Sequence, residues 1–140
     1  MEFSIVPMKI EDYEEVYALW SKSEGLGLSG ADTREGIDHF LQLNPGLSFT
    51  ARSVGRLVGA VICGCDGRRG YIHHLAVEED SRKSGIGLAL VNACLDCLIE
   101  QHIQKCHIFV YANNQNAIDF WEKTGWTHRT ELILMSKNLP

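Results

Sequence analysis

Tyr71-Ile72-His73-His74-Leu75-Ala76-Val77-Glu78-Glu79-Asp80-Ser81-Arg82-Lys83-Ser84-Gly85-Ile86-Gly87-Leu88-Ala89-Leu90 decides the fold. An apolar strand, Tyr71 to Val77, runs into a charged turn, Glu78 to Ser84, and Gly85-Ile86-Gly87 then opens a helix. This is the layout of an anion site. Glycines lack a Cβ, so backbone presses close to a ligand there and takes unusual dihedral angles. The first amides of a helix have no internal partner, and the helix dipole places about half a positive charge beside them. Arg82 and Lys83 add formal charge at the same place. The stretch reads as a pyrophosphate cradle; an ordinary strand–turn–helix with a glycine-rich entry is the competing reading.

Downstream, the helix from Gly85 runs to about Gln101, with Asn92, Asp96 and Glu100 as a polar stripe on an otherwise apolar surface. Lys105 to Tyr111 follows as a strand parallel to the Tyr71 strand across the crossover helix. Asn114 to Thr124 reads as a helix closed by Gly125, and Trp126 to Lys137 as one or two final strands. Upstream, Leu57 to Cys65 and Ser48 to Val54 form a hairpin about Gly55-Arg56, and Asp66-Gly67 begins the turn into the Tyr71 strand. Two helices precede the hairpin. One spans Glu11 to Ser23; the other, capped by Asp32 or Thr33, presents Ile37, Phe40, Leu41 and Leu43. Phe3 to Val6 is a first strand ended by Pro7. Gly25-Leu26-Gly27-Leu28-Ser29-Gly30 spells G-x-G-x-x-G, but it follows a helix rather than a strand and reads as a mobile loop. The pattern is α+β on a mixed sheet, one domain over residues 1–140.

With 13 basic and 18 acidic residues the net charge is −5, which argues against nonspecific nucleic-acid binding and mildly favours cationic substrates. No apolar run approaches the roughly 20 residues that span a bilayer. The N-terminus lacks the basic-then-apolar layout of a signal peptide, so a cytoplasmic protein is expected. Cys63, Cys65, Cys94, Cys97 and Cys106 are read as reduced thiols rather than a zinc or redox site, because neither close pair sits on the tight turn that zinc uses.

Two pieces of the chain coincide in one family. Leu75-Ala76-Val77 followed by Arg82-x-x-Gly85-x-Gly87 is the first. Asn114-x-x-Ala117-Ile118-x-Phe120-Trp121-Glu122-Lys123-x-Gly125-Trp126 is the second. Together, in this order, they resemble the GNAT superfamily of acyl-CoA-dependent N-acetyltransferases. The Asp66-Gly67 and Arg69-Gly70 turn looks like that of a small bacterial subgroup, the YpeA-like proteins. The resemblance implies a mixed, mostly antiparallel sheet of six to seven strands with about four helices, and a central parallel pair that splays apart. It implies that acetyl-CoA lies with its pyrophosphate on Arg82, Lys83, Ser84, Gly85, Ile86 and Gly87, and its pantetheine arm along Leu75, Ala76 and Val77. Asn114 and Trp121 would also meet the cofactor. No metal is implied, a homodimer is common in the family, and the partner is a small-molecule or peptide amine rather than nucleic acid or a membrane.

Acyl transfer to an amine requires a proton acceptor for the ammonium, donors for the developing oxyanion and help for the departing thiolate. The resemblance places the oxyanion donors on backbone near Leu75 to Val77. Many members of the family carry a glutamate base on one of the two central strands; this chain has His73 and His74 instead. Strand alternation would set Tyr71, His73, Leu75 and Val77 on one face and Ile72, His74 and Ala76 on the other. Histidine titrates near neutrality, so either ring suits the base. The family's usual tyrosine acid is replaced by Trp121, whose indole N–H does not ionise usefully, so the thiolate leaves unaided, takes its proton from water, or is served by another residue such as Tyr111 or Tyr71. The expected reaction is direct attack of a primary amine in a ternary complex; the alternative is a catalytically weakened acyl-CoA-binding module.

Overall fold

Ten consecutive residues of one strand, all but the two ends buried, form the spine to which the other strands are added. A computed structural model describes residues 1–140. In chain order the elements are β1 (Ser4–Pro7), α1 (Tyr13–Lys22), α2 (Arg34–Leu43), β2 (Phe49–Ser53), β3 (Arg56–Cys65), β4 (Gly70–Val77), α3 (Ile86–Glu100), β5 (Cys106–Ile108) and α4 (Gln115–Lys123). The chain falls into two compact units, residues 1–109 and 110–140.

In the first unit the sheet order is β1-β2-β3-β4-β5. The first four strands pair antiparallel, and β5 lies parallel to β4. The mixed sheet and the parallel crossover follow the sequence pattern. The strand count does not: five strands are present where six to seven were expected. β5 is cut to three residues, and residues 127–140 form no strand despite the apolar run Leu132 to Met135. Leu132, Ile133, Leu134 and Met135 stand exposed. A strand is defined by its partner ladder as much as by its pattern, and this segment pairs with none.

Both sheet faces are covered by helices, which is why β3 reads as an unbroken apolar run rather than an alternating one. On one face α3 lies close: a Cβ on Gly59 would stand 3.0 Å from both Ile86 and Leu90, and one on Gly70 2.5 Å from Leu98. On the other face Val16, Leu19 and Trp20 of α1 and Ile37 of α2 pack with Leu57, Ala60, Ile62 and Ala76. Leu26 and Leu28 join that cluster, so the Gly25–Gly30 segment is a loop, as expected, but one seated on the core by its two leucines. Ser29 and Asp32 then form a reciprocal capping box around a 3-10 turn, Gly30–Asp32. Thr33 caps α2 by accepting from the Gly36 amide at 3.1 Å.

In the second unit, Asn114 caps α4 by accepting from the Ala117 amide at 3.2 Å. Gly125, at φ 101°, closes the helix. The Trp126 amide reaches the Trp121 carbonyl at 3.0 Å and the Gly125 amide reaches Glu122 at 3.2 Å, the paired bonds of a Schellman motif. Trp121 is buried, with its ring 5.0 Å from that of Trp126 and 5.1 Å from that of Phe120.

Candidate active site

The site grows from an irregularity in β4. Ala60 pairs with Ala76 and Ile62 with His73, so His74 and Leu75 together oppose Val61 alone. This is a β-bulge. His74 takes the left-handed conformation, φ 54°, which is uncommon for a residue with a Cβ, although His is among those that tolerate it. The extra residue resets the alternation. Tyr71 and His73 share a face before the bulge, and His74 and Ala76 turn to the same face after it. The ring of His73 is 6.2 Å from Phe40 of α2, and that of His74 is 5.0 Å from Trp20 of α1. The two rings lie 6.5 Å apart. The expectation that His73 and His74 occupy opposite faces is therefore corrected: the bulge puts both under the α1–α2 layer.

Their surroundings differ. The ring of His73 stacks at 6.3 Å on Phe109, which stacks in turn on Tyr71 at 6.4 Å, and its nitrogens carry no hydrogen bond. Burial lowers its pKa below the ordinary histidine value; positive charge on His74 lowers it further, and Asp32 opposes both. His74 Nε2 meets Asp32 Oδ1 at 2.9 Å. Asp32 Oδ2 accepts from the Ser29 amide at 3.0 Å. The Tyr13 hydroxyl donates to the Asp32 carbonyl at 2.6 Å, and Trp20 Nε1 donates to the His74 carbonyl at 2.9 Å. Asp32 and Trp20 are absent from the sequence-derived site. The Ser29-x-x-Asp32 spacing announces a cap, but nothing local to it announces a histidine 42 residues away.

The second component is a gap. β4 pairs with β5 only from Gly70 to Ile72, opposite Cys106 to Ile108. From His73 to Val77, β4 continues with no strand on that side. The splayed parallel pair is thus present as a loss of pairing.

The third component is the start of α3. Gly85 occupies its cap position at φ 86°, and no side chain caps the helix. Ala89 supplies the first amide that finds a carbonyl, that of Gly85, at 3.0 Å. A Cβ on Gly85 would meet nothing within 4 Å, so the entry is open. Lys83 is also left-handed, φ 64°. Ser84 Oγ donates to the Ser81 carbonyl, while Ser81 Oγ is buried without a partner. Arg82 does not lie free beside the amides; its Nε donates to the Val77 carbonyl at 3.2 Å and ties the turn to β4. The structure thus brings His73, His74, Leu75, Ala76, Val77 and residues 82–87 together in one unit. Tyr111, exposed, and Asn114 and Trp121, in and beside α4, belong to the second unit.

No group of three or more His, Cys, Asp or Glu side chains is placed to hold a metal ion. Contact with Cys106 lowers the pKa of Cys63, but contact with Cys94 and burial outweigh it and push the thiol up to about 12. No helix is long and apolar enough to cross a membrane.

The acetyltransferase (GNAT) family model matches residues 13–126. The acetyltransferase SG1711 of Sodalis glossinidius is 31% identical over 92% of this chain and 90% of its own length. Ard1 of Thermoplasma volcanium superposes with a TM-score of 0.81 at 25% identity, covering 91% of this chain and 84% of Ard1. PaiA N-acetyltransferase of Thermoplasma acidophilum, solved in complex with coenzyme A, shares the fold with a TM-score of 0.81 at 17% identity, over 91% of each chain. These likenesses define an acyl-CoA-dependent N-acetyltransferase. The chain belongs to the acetyltransferase (GNAT) family.

Proposed function

We propose that the chain transfers an acetyl group from acetyl-CoA to a primary amine by direct attack in a ternary complex, with His73 as the base. The observation that carries this reading is the uncapped, glycine-entered N-terminus of α3 directly beyond the unpaired end of β4. The residues fit the group. The bare amides at Ile86 and Gly87, the open backbone at Gly85 and the unpartnered Ser81 hydroxyl suit a pyrophosphate. The free edge from His73 to Val77 suits a strand-like arm that pairs with backbone. When bound, acetyl-CoA supplies an acyl carbon activated as a thioester.

The protein's residues do the rest. His73 is half-buried and held neutral at physiological pH by its lowered pKa, so its lone pair accepts the proton that an incoming ammonium must lose. The bulge turns backbone at Leu75 out of the regular ladder, which frees donors for negative charge developing on the acyl oxygen. Phe40 and Phe109, with ring centroids 6.2 and 6.3 Å from that of His73, offer π-faces to a cationic amine. Free thiol release from acetyl-CoA across a panel of primary amines tests the proposal: release above the amine-free rate is expected, and none with any amine overturns it.

A further inference from the structure

We propose that Asp32 is the positioning residue of the site, acting through His74 to fix which nitrogen of that ring carries the proton and to hold the Gly25–Gly30 loop against the β4 bulge. The inference rests on the acetyl-transfer reading above.

Its first support is geometric. Asp32 is 5% exposed, and a buried carboxylate survives only with its oxygens satisfied. Oδ1 takes the His74 ring and Oδ2 the Ser29 amide. An ionised carboxylate is an acceptor only, so His74 Nε2 must carry the hydrogen of their 2.9 Å contact. In a neutral ring the lone pair is thereby assigned to Nδ1, which has no partner in the structure. The same logic orients the histidine of a catalytic triad, where the carboxylate sets the tautomer and does not itself take the proton.

The second support is the cost of the arrangement. His74 holds a left-handed backbone, which is strained and persists only when the surroundings over-determine it. They do so through three hydrogen bonds from two elements, α1 and the Gly30–Asp32 turn. Trp20 of α1 binds the His74 carbonyl, Asp32 binds its ring, and Tyr13 of α1 binds the Asp32 carbonyl. The His74 ring lies 6.5 Å from that of His73, so the position of one bears on the other.

The ionisable groups around the pair come from every element packed on it. β4 gives His73, and α1 gives Tyr13 with Tyr17 and Glu14 about its hydroxyl. Arg34 of α2 lies close enough to Tyr13 to oppose the rise in its pKa and pairs with Glu14 at 3.5 Å. Asp32 is thus the one carboxylate in contact with the histidine pair, and it raises the pKa of His73 against the two lowering influences.

The test is a double-mutant cycle with pH–rate profiles, using Asp32→Asn, His74→Gln and the pair together. Asparagine keeps one acceptor for the ring and removes the charge; glutamine keeps a donor for Asp32 and removes the imidazole. Asp32→Asn is expected to lower kcat/KM for the amine about 10²-fold, the low end for proton-transfer assistance, and to move the acid limb of the profile to lower pH. The heat of coenzyme A binding should be unchanged. In the His74→Gln background the same change is expected to cost less than about threefold, since groups acting as a unit are not additive. A merely structural Asp32 would lower the melting temperature and leave kcat/KM of the folded enzyme unchanged, and fully multiplicative losses would place its action elsewhere; either result overturns the proposal. Should Asp32→Asn fail to fold, an unchanged acid limb in His74→Gln alone overturns it equally. Failure of the wild-type enzyme to release thiol would strike the acetyl-transfer reading instead.

Discussion

A histidine that must take a proton from an amine at neutral pH has to be neutral before the amine arrives, and His73 meets that condition by desolvation. Its pKa is lowered first by burial and then by His74. The rate should therefore hold from alkaline pH down past the ordinary histidine value of about 6.5 and fall only as pH drops through the lower, folded-state pKa. A limb at or above 6.5 would remove His73 from the role. The same shift makes a stability statement. The unfolded chain binds a proton at this position before the folded chain does, so stability is full above about 6.5 and declines as pH falls from there through the folded-state pKa. Replacing the ring separates chemistry from binding. His73→Ala should lower kcat by about 10²-fold or more, with calorimetric coenzyme A binding intact. Loss of turnover and binding together would instead show that the ring supports the cofactor.

Among the elements, α3 is the one whose first turn is specialised. Gly85 has open space around its missing Cβ, so Gly85→Ala meets no clash; its cost lies in the backbone, at φ 86°. That cost is about 1–2 kcal/mol, and Gly85→Asn should cost less because asparagine tolerates the left-handed region. Denaturant melts of the two variants check the order, and on the proposed binding mode cofactor affinity should fall in both, since a Cβ would stand where backbone alone is to face the pyrophosphate. Gly70 offers the opposite case: its Cβ would sit 2.5 Å from Leu98 on α3, so Gly70→Ala overpacks the interior and should cost about 1–3 kcal/mol without a special dihedral.

These two glycines also mark how far the sequence could be read. Gly85-Ile86-Gly87 after a charged turn reads as an exposed helix start, and the uncapped start of α3 was legible from it. The parallel crossover was legible because an apolar helix joins two apolar strands. The bulge was not. Nothing in His73-His74-Leu75 signals an extra residue, since it is selected by Trp20 and Asp32, which are distant in sequence, and strand alternation therefore placed the two rings on opposite faces. The final strands failed for a related reason. The apolar run at residues 132–135 states a preference, but whether a partner edge stands beside it is settled elsewhere in the chain.

For the molecule as a whole, the five thiols offer a reporter of cooperativity. Cys63 and Cys94 have no exposed surface, and Cys63 is further silenced by a pKa pushed up to about 12. A thiol reacts as the thiolate, so at pH 8 neither should be alkylated until the structure opens. Cys63 lies in the central strand and Cys94 in the helix that covers it, so the opening that exposes them should be the global one rather than a local fray. Ligand binding discriminates between the two. If modification needs the fully unfolded chain, acetyl-CoA at 100 times its dissociation constant should slow alkylation of both cysteines about 100-fold, because it stabilises only the folded state. Cys65 and Cys97, partly exposed, should be modified early and change little with ligand. Peptide-resolved mass spectrometry of a labelling time course reads all of them at once. Slow labelling that acetyl-CoA leaves unchanged would mean that β3 and α3 part without the cofactor site being lost. The covering helix would then not transmit cofactor binding at its N-terminus to the core beneath it.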